Sequence, residues 1–400
     1  MASQRISGIL GKKDAGGDAR AFLGVFGKHP GWNDHIDDIG LETERLVQIK
    51  RELYVEGIGG NIDAGAWDAI AEDGRLTGFD HLFLWRAGGE TAVGRFWSSS
   101  DGKGRTRYPM VVCAQVRGQP MSWQVRYVAP LLERLQDDFK AADTAEKVVA
   151  RAENARREIE ALASGERGAT DVYERSATAA LAADPAMGPE KRGMYRLLYQ
   201  MERELAAFLR GGLTDGTRTR VADLTPRHLR VPRCLRDEGQ SMLLWWRFVT
   251  EHIGDGAPVV LMSPRGQDFI DILVGEAGVS QFTCVRAAEK TIPLTTEIPY
   301  SFDEAFVRRA EERIAGTPAE VKPDAGTKRI AAAGGGGGLA AKIKGNGRKM
   351  EPKQIAMIAG LAVLGVIVVG GAILLLSGGG GAAKNGGQRN RGCLLYTSPS

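Results

Sequence analysis

Residues 355–376 form an unbroken run of 22 uncharged, almost wholly apolar residues near the end of the chain. As an α-helix rising about 1.5 Å per residue, the run is roughly 33 Å long, enough to cross a ~30 Å hydrocarbon core. A core helix of a globular domain does not need that length without one polar residue. Gly360, Gly365, Gly370 and Gly371 are of a kind tolerated in membrane spans. The expectation is a single transmembrane helix that tethers the rest of the chain to a bilayer.

The flanks of the run set its orientation. Lys342, Lys344, Arg348, Lys349 and Lys353 precede it, with Glu351 the one acid among them. Short basic flanks stay cytoplasmic, so the large N-terminal body is expected in the cytoplasm, at the inner membrane. Lys384, Arg389 and Arg391 on the far side weaken this asymmetry without reversing it. Residues 1–20 hold no apolar core of a secretory signal, since Ile9-Leu10 is too short. Cys113, Cys234, Cys284 and Cys393 form no C-x-x-C pair, which suits a reducing compartment and argues against a zinc ribbon.

With 43% hydrophobic and 26% charged residues, the body is globular rather than disordered. The formal net charge of +4 owes much to the basic flank, so the body is near neutral. A concentrated basic face is missing, which excludes the electrostatic case for nucleic-acid binding. Residues 1–20 read as a disordered stretch and 21–315 as the folded domain. The segment 316–354, with Pro318, Pro323 and five successive glycines, reads as a flexible linker. Residues 377–400 read as a Gly-rich tail, of which 393–400 resembles translated sequencing-adapter sequence and is set aside from fold reasoning.

Within the domain, residues 22–26 read as a strand ended by Gly27. Leu46, Ile49 and Leu53 have the +3 and +4 spacing of a helix over 41–54. Residues 81–86 and 91–97 flank Gly88-Gly89 as a β-hairpin, and 110–116 follow as a third strand behind Pro109. Short turns between these strands predict an antiparallel sheet. The stretch 129–212 reads as a helical insertion. Its clearest stripe is Met194, Leu198, Met201, Leu205 and Phe208, a core-packing face ended by Gly211-Gly212. After Pro232 the apolar runs 242–248, 258–262, 269–274 and 282–285 predict a return to strands. The fold class is therefore α/β (α+β), a mostly antiparallel or mixed central sheet flanked by helices, plus one C-terminal transmembrane helix.

The densest polar constellation is Lys28, His29, Asn33, Asp34, His35, Asp37 and Asp38 around Pro30-Gly31-Trp32. Two imidazoles and three carboxylates raise a metal site, with His29, Asp34, His35 and Asp38 as its ligands. Yet the His-x-His-x-Asp-His hydrolase pattern would need histidines where Pro30 and Trp32 stand. The simpler reading is a rigid Pro-Gly turn followed by an Asn/Asp helix cap. No phosphate loop, nucleophile elbow or catalytic cysteine is visible; Cys113 lies inside an apolar strand and reads as core. Arg95, Arg105 and Arg107 surround Gly102 and Gly104 before Tyr108. Either they contact an anion, or an arginine pairs with an acid such as Asp101 and pins the loop, which is the preferred reading. Trp245-Trp246 is expected to give one core indole and one partner anchor.

Together these residues resemble the type VI secretion-associated TagF/ImpM family. Phe26-Gly27-Lys28-His29-Pro30-Gly31-Trp32-Asn33-Asp34 is similar to that family's Phe-Gly-Lys-x-Pro-x-x-Gly-Asp opening, with Asn33 in place of the glycine. Ser100-Asp101, Gly104-Arg105 and Tyr108-Pro109-Met110 are similar to its Ser-x-Asp-x-x-Gly-Arg-x-Phe-Pro-Leu stretch. Two departures stand out: Asp101 follows Ser100 directly, and one extra residue separates Arg105 from Tyr108. Ser241 through Trp246, with Pro258 and Phe269, resembles its Ser-x-Trp-Trp block and closing strands. The resemblance covers about residues 22–290, and the transmembrane run is an addition to it.

What the resemblance implies is a longin- or profilin-like sandwich and a bacterial, non-enzymatic accessory or regulator of a secretion apparatus, acting through protein contacts. Its partners would be protein components of that apparatus or its regulatory scaffold; no cofactor, nucleic acid or small-molecule substrate is expected. The candidate partner-binding residues are Lys28, His29, Trp32, Asn33, Asp34, Asp101, Arg105, Tyr108, Trp245 and Trp246. The alternatives are the metal-assisted hydrolase named above and a longin-like adaptor for a small GTPase.

Overall fold

The computed structural model describes residues 20–165, 175–209, 225–253 and 256–316. The expected disordered stretch up to residue 19, the linker from 317, the expected membrane span and the tail all lie outside them. Among the described residues no helix is long and apolar enough to cross a membrane.

Among the described residues, seven strands build one antiparallel sheet: β1 (Arg20–Gly27), β2 (Asp80–Ala87), β3 (Glu90–Ser98), β4 (Pro109–Arg117), β5 (Arg227–Pro232), β6 (Val259–Pro264) and β7 (Phe269–Val274). Their order across the sheet is β1-β4-β3-β2-β6-β7-β5, and every pairing is antiparallel. β2 and β3 meet at Gly88-Gly89, whose φ of +58° and +76° are the two left-handed positions of a type I′ turn. Pro109 opens β4 opposite Ser98, and Phe22 to Phe26 lies within β1, as expected.

Helices cover both faces of the sheet. One face carries α1 (Glu44–Ile49), which continues into a π-helix (Lys50–Gly59) and α2 (Gly60–Asp63). Leu46, Ile49, Leu53 and Ile58 from that run pack with Phe83, Trp85, Phe96 and Cys113 of the sheet. The other face carries α3 (Met121–Trp123), a π-helical turn (Gln124–Val128), α4 (Ala129–Lys140), α5 (Ala145–Gly165), α6 (Ala177–Ala182), α7 (Arg192–Glu204), α8 (Glu238–His252) and α9 (Glu304–Ala315). Their buried residues join Leu82, Leu84, Val112 and Leu261 in the larger core. Because both faces are covered, the inner strands read as continuous apolar runs instead of alternating ones.

Several expectations are corrected. Residues 242–248 are part of helix α8, not a strand. Asp237 caps this helix by accepting from the Gln240 N–H at 2.7 Å. Residues 282–285 form a 3₁₀ turn, Gln281–Arg286, that packs on the sheet without joining it. The strand β5 was not expected. The Met194 stripe is core as predicted, but α7 ends at Glu204, with Leu205 and Phe208 buried in the following turn.

A buried arginine marks each face. On the α4 side, Arg95 Nε donates to Gln136 Oε1 at 2.8 Å, with Glu238 3.3 Å and Asp80 3.5 Å from its other nitrogens. On the opposite side, Arg230 grips Asp271 through Nε–Oδ1 at 2.7 Å and Nη2–Oδ2 at 2.9 Å. Each guanidinium thus ties the sheet to the layer above it, and removal of either partner would leave a buried charge uncompensated.

Candidate functional site

The site lies where β1 ends and β4 begins, side by side at one edge of the sheet. Gly27 closes β1 at φ +113°, a backbone open mainly to glycine. The chain then turns back on itself: the Ile36 N–H donates to the Gly27 carbonyl at 2.8 Å, and the Trp32 N–H to the His29 carbonyl at 3.0 Å. His29 pins this turn to α4. Its Nδ1 accepts from the Gly31 N–H at 3.0 Å, so Nε2 carries the proton and donates to the Phe139 carbonyl at 2.9 Å. Burial pushes His29 below the usual imidazole range, against the opposing pull of the Phe139 carbonyl.

The second half is the loop after β3. Its centre is the buried Asp101 carboxylate, which receives Lys28 Nζ at 2.5 Å and Arg105 Nε at 2.6 Å on one oxygen. The other oxygen accepts from the Lys103 and Arg105 N–H groups, both at 3.0 Å. Burial works to raise this acid, but the hydrogen bonds from Lys28 and Arg105 hold it well below the carboxylate range. Gly104 takes φ +76° to close the loop. The Gly102 N–H donates to the Trp32 carbonyl at 2.6 Å, so loop and turn touch backbone to backbone.

Arg105 then reaches across, donating to the Asn33 carbonyl at 2.9 Å and lying 3.1 Å from Asp34. Asp34 also sits 3.3 Å from Lys28 and 3.1 Å from His35 Nδ1. The Lys28 hydrogen bond, together with Arg105 and His35, pulls Asp34 below the usual carboxylate range. The loop-pinning reading of Arg105 with Asp101 is what the geometry shows. Arg95 belongs to the buried network described above, and Arg107 donates to the Ile62 carbonyl at 3.4 Å.

The structure brings eight of the ten expected site residues together: Lys28, His29, Trp32, Asn33, Asp34, Asp101, Arg105 and Tyr108. Of these, Lys28, His29 and Asp101 are buried and act from beneath the surface. Asn33, Asp34 and Arg105 are exposed, with Trp32 and Tyr108 half-buried. Trp32 meets His29 edge-on at 5.8 Å and its Nε1 reaches Asp37 at 3.4 Å. Trp245 and Trp246 correct the expectation of an exposed indole. Both are buried in α8; Trp245 donates to the Pro232 carbonyl at 2.9 Å, and Arg86 lies over the Trp246 ring at 5.6 Å.

A groove of about 320 Å³ opens beside the turn, lined by His35, Asp38, Tyr54, Val55, Asp63 and Tyr108 among others. One wall is the π-helix Lys50–Gly59, a rare element that is concentrated at functional positions. His35, Tyr54 and Tyr108 form an aromatic triad with centroids 5.2 to 5.9 Å apart. Tyr54 and Asp63 were not singled out from sequence. Tyr54 sits next to Leu53 in an ordinary helical stripe, and nothing in that spacing sets it apart.

The proposed ligand set His29, Asp34, His35 and Asp38 does not form a metal centre. Both nitrogens of His29 are committed, and Asp38 is held by Lys50 at 2.5 Å. Among the described residues, His228, Asp271 and Cys284 place ligand atoms within 4.8 Å of one another. There the Arg230 guanidinium already occupies both Asp271 oxygens, and burial raises the Cys284 thiol well above its usual range. A cation placed there would face another cation. This cluster is a structural tie between β5, β7 and the 281–286 turn.

No protein-family model and no curated protein matches this chain. Among solved structures, the crystal structure of PA0076 from Pseudomonas aeruginosa PAO1 is similar at 21% identity. The likeness covers 33% of this chain and 60% of that one, with a TM-score of 0.27.

Proposed function

We propose that this chain is a membrane-tethered accessory or regulatory protein of a type VI secretion-like system, acting by protein contact and not by catalysis. The observation that carries the reading is the ion bracket of Lys28, Asp101, Arg105 and Asp34. It fastens together two of the three segments on which the resemblance to the TagF/ImpM family rests, 26–34 and 100–110. Burying charge is costly unless every partner is placed, and here the result is a stiff rim that presents Trp32, Asn33, Asp34 and Arg105. A rigid exposed rim with an aromatic anchor suits protein recognition. His29, committed to backbone groups through both nitrogens, is not available as a general base or metal ligand.

The tether rests on the apolar run 355–376 and its basic flank, and the finer likeness to longin or profilin sheets rests on the resemblance. A leash of this kind raises the effective concentration near an envelope-embedded partner, so a weak surface suffices. Two measurements test the reading. Fractionation should place the full chain in the membrane fraction, and a freely dispersed chain would overturn the tether. In a pull-down from membranes, Trp32→Ala with Asp34→Ala should lose the partner recovered with the unaltered chain. Equal recovery would remove this surface.

A further inference from the structure

The groove beside the rim has an unmet chemical demand. Tyr54 is only 3% exposed, lines the groove, and its hydroxyl has no hydrogen-bond partner among the described residues. A buried polar group left unpaired costs free energy, so a partner for it would be favoured. Burial, with Tyr108, Asp34 and Asp38 nearby, raises the Tyr54 phenol, which therefore stays protonated and can accept as well as donate.

The charges around the groove decide what that partner is. Lys28 and Arg105 are bound to Asp101 at 2.5 and 2.6 Å, and Lys50 to Asp38 at 2.5 Å. Arg107, which is not part of the groove lining, gives one N–H to the Ile62 carbonyl at 3.4 Å and keeps its charge. The acid left over is Asp63, exposed, lining the groove and without an ion pair among the described residues. Burial and then the Asp63 charge raise the Tyr108 phenol, against the opposing pull of Arg107 and Lys28. Among the side chains that line the groove the unpaired charge is therefore negative, flanked by aromatic rings and by Val55, an exposed valine on the groove wall. Aromatic faces beside a carboxylate suit a cation on an apolar stem.

We infer that the groove receives the ammonium or guanidinium of a basic side chain presented by a partner protein, with its charge toward Asp63 and an N–H given to the Tyr54 hydroxyl. The stem lies along Val55 and the Tyr108 ring. At about 320 Å³ the groove is at the small end of ligand sites, with room for one basic side chain. This inference rests on the protein-contact reading above and names the chemistry that reading requires of its partner.

The test is isothermal titration of the full chain with the peptide acetyl-Gly-Arg-Gly-amide, compared with the same peptide carrying Gln or Glu in place of Arg. The Arg peptide should bind about tenfold or more tightly than the Gln peptide, since hydrogen bonds to charged groups are the strong ones. Asp63→Asn should remove most of that preference, and Tyr54→Phe should weaken the Arg peptide about threefold or more. Both changes are nearly isosteric, one on the surface and one deleting an unpaired hydroxyl, so the fold is retained. Equal binding of the Arg and Gln peptides, no saturable binding of any, or tighter binding of the Glu peptide would overturn the inference. In the membrane pull-down, partner recovery kept by the Asp63→Asn, Tyr54→Phe double variant but lost by Trp32→Ala with Asp34→Ala would reject the pocket and leave the rim standing. Recovery kept by both would reject the two together.

Discussion

Lys28 Nζ lies 2.5 Å from Asp101 Oδ2, both side chains buried, across 73 residues of sequence. This pair is what converts two polar turns into one surface. Lys28→Met would leave Asp101 buried with Arg105 alone, and the melting temperature of the full chain should fall on the order of 5 °C. Combining Lys28→Met with Asp101→Asn should recover much of the loss, because the stranded charge is gone. Thermal unfolding of the three chains checks this, and a double variant no better than Lys28→Met would deny the coupling.

The turn leaves no room for added atoms, either against the start of α5 or against the loop. A Cβ on Gly31 would stand 2.7 Å from the Ala145 nitrogen and 2.9 Å from the Thr144 carbonyl carbon, both backbone. A Cβ on Gly102 would stand 3.0 Å from the Pro30 oxygen. Gly31→Ala should therefore destabilise by about 1–3 kcal/mol. Gly102→Val should reduce partner recovery with a smaller loss of stability, since the loop can lift off the turn. Denaturant unfolding together with the pull-down separates the two effects.

Trp245 supports the core and has no direct part in recognition. Trp245→Ala should cost about 3–5 kcal/mol, as large-to-small changes of buried aromatics do. Trp32, half-buried on the rim, should cost less than half of that while abolishing partner recovery. Urea unfolding of both variants provides the comparison. A mild Trp245→Ala alongside a severe Trp32→Ala would reverse these assignments.

Stability should depend on pH in two windows. Burial pulls His81 down to about 4, below the ~6.5 of an unfolded histidine. The unfolded chain therefore binds the extra proton first, and stability should fall by up to about 3 kcal/mol as pH drops from about 6.5 toward 4. His81→Phe keeps the stack on Phe96, now 4.5 Å away, and should remove most of that window, leaving the part that the depressed His29 contributes. Below about pH 4 a second loss follows in both proteins as Asp34, Asp101 and Asp271, all held low in the fold, take up protons. Denaturant midpoints from pH 8 to 3 resolve the two, and an unchanged profile in His81→Phe would exclude the histidine.

Much of the sheet was legible because its signals are local. Gly88-Gly89 marks the hairpin, and the apolar runs around Leu84, Val93 and Val112 are too long and too flat for loops. The α8 helix was misread because residues 242–249 are nearly all apolar, and a continuous run carries no periodicity to separate helix from strand. The Asp237 cap, with Gln240 three residues on, was the available clue. β5 was passed over because Arg227, His228 and Arg230 look like a surface segment; the neutralising Asp271 is far off in the chain. The same blindness applies to the site. Residue types put Lys28, Asp34 and Arg105 in one place correctly, but spacing cannot say that Lys28 and Asp101 are inside, or that Tyr54 stands beside them.

The central strand β2 has β3 on one side and β6 on the other. On a ribosome, Ala87 is made long before Val259, and at about 5–20 residues per second the interval is roughly 10–35 s. Throughout it β2 has one row of backbone groups open to any passing strand. Nascent chains of this protein are thus natural clients for chaperones, and products that stop short of β6 should aggregate.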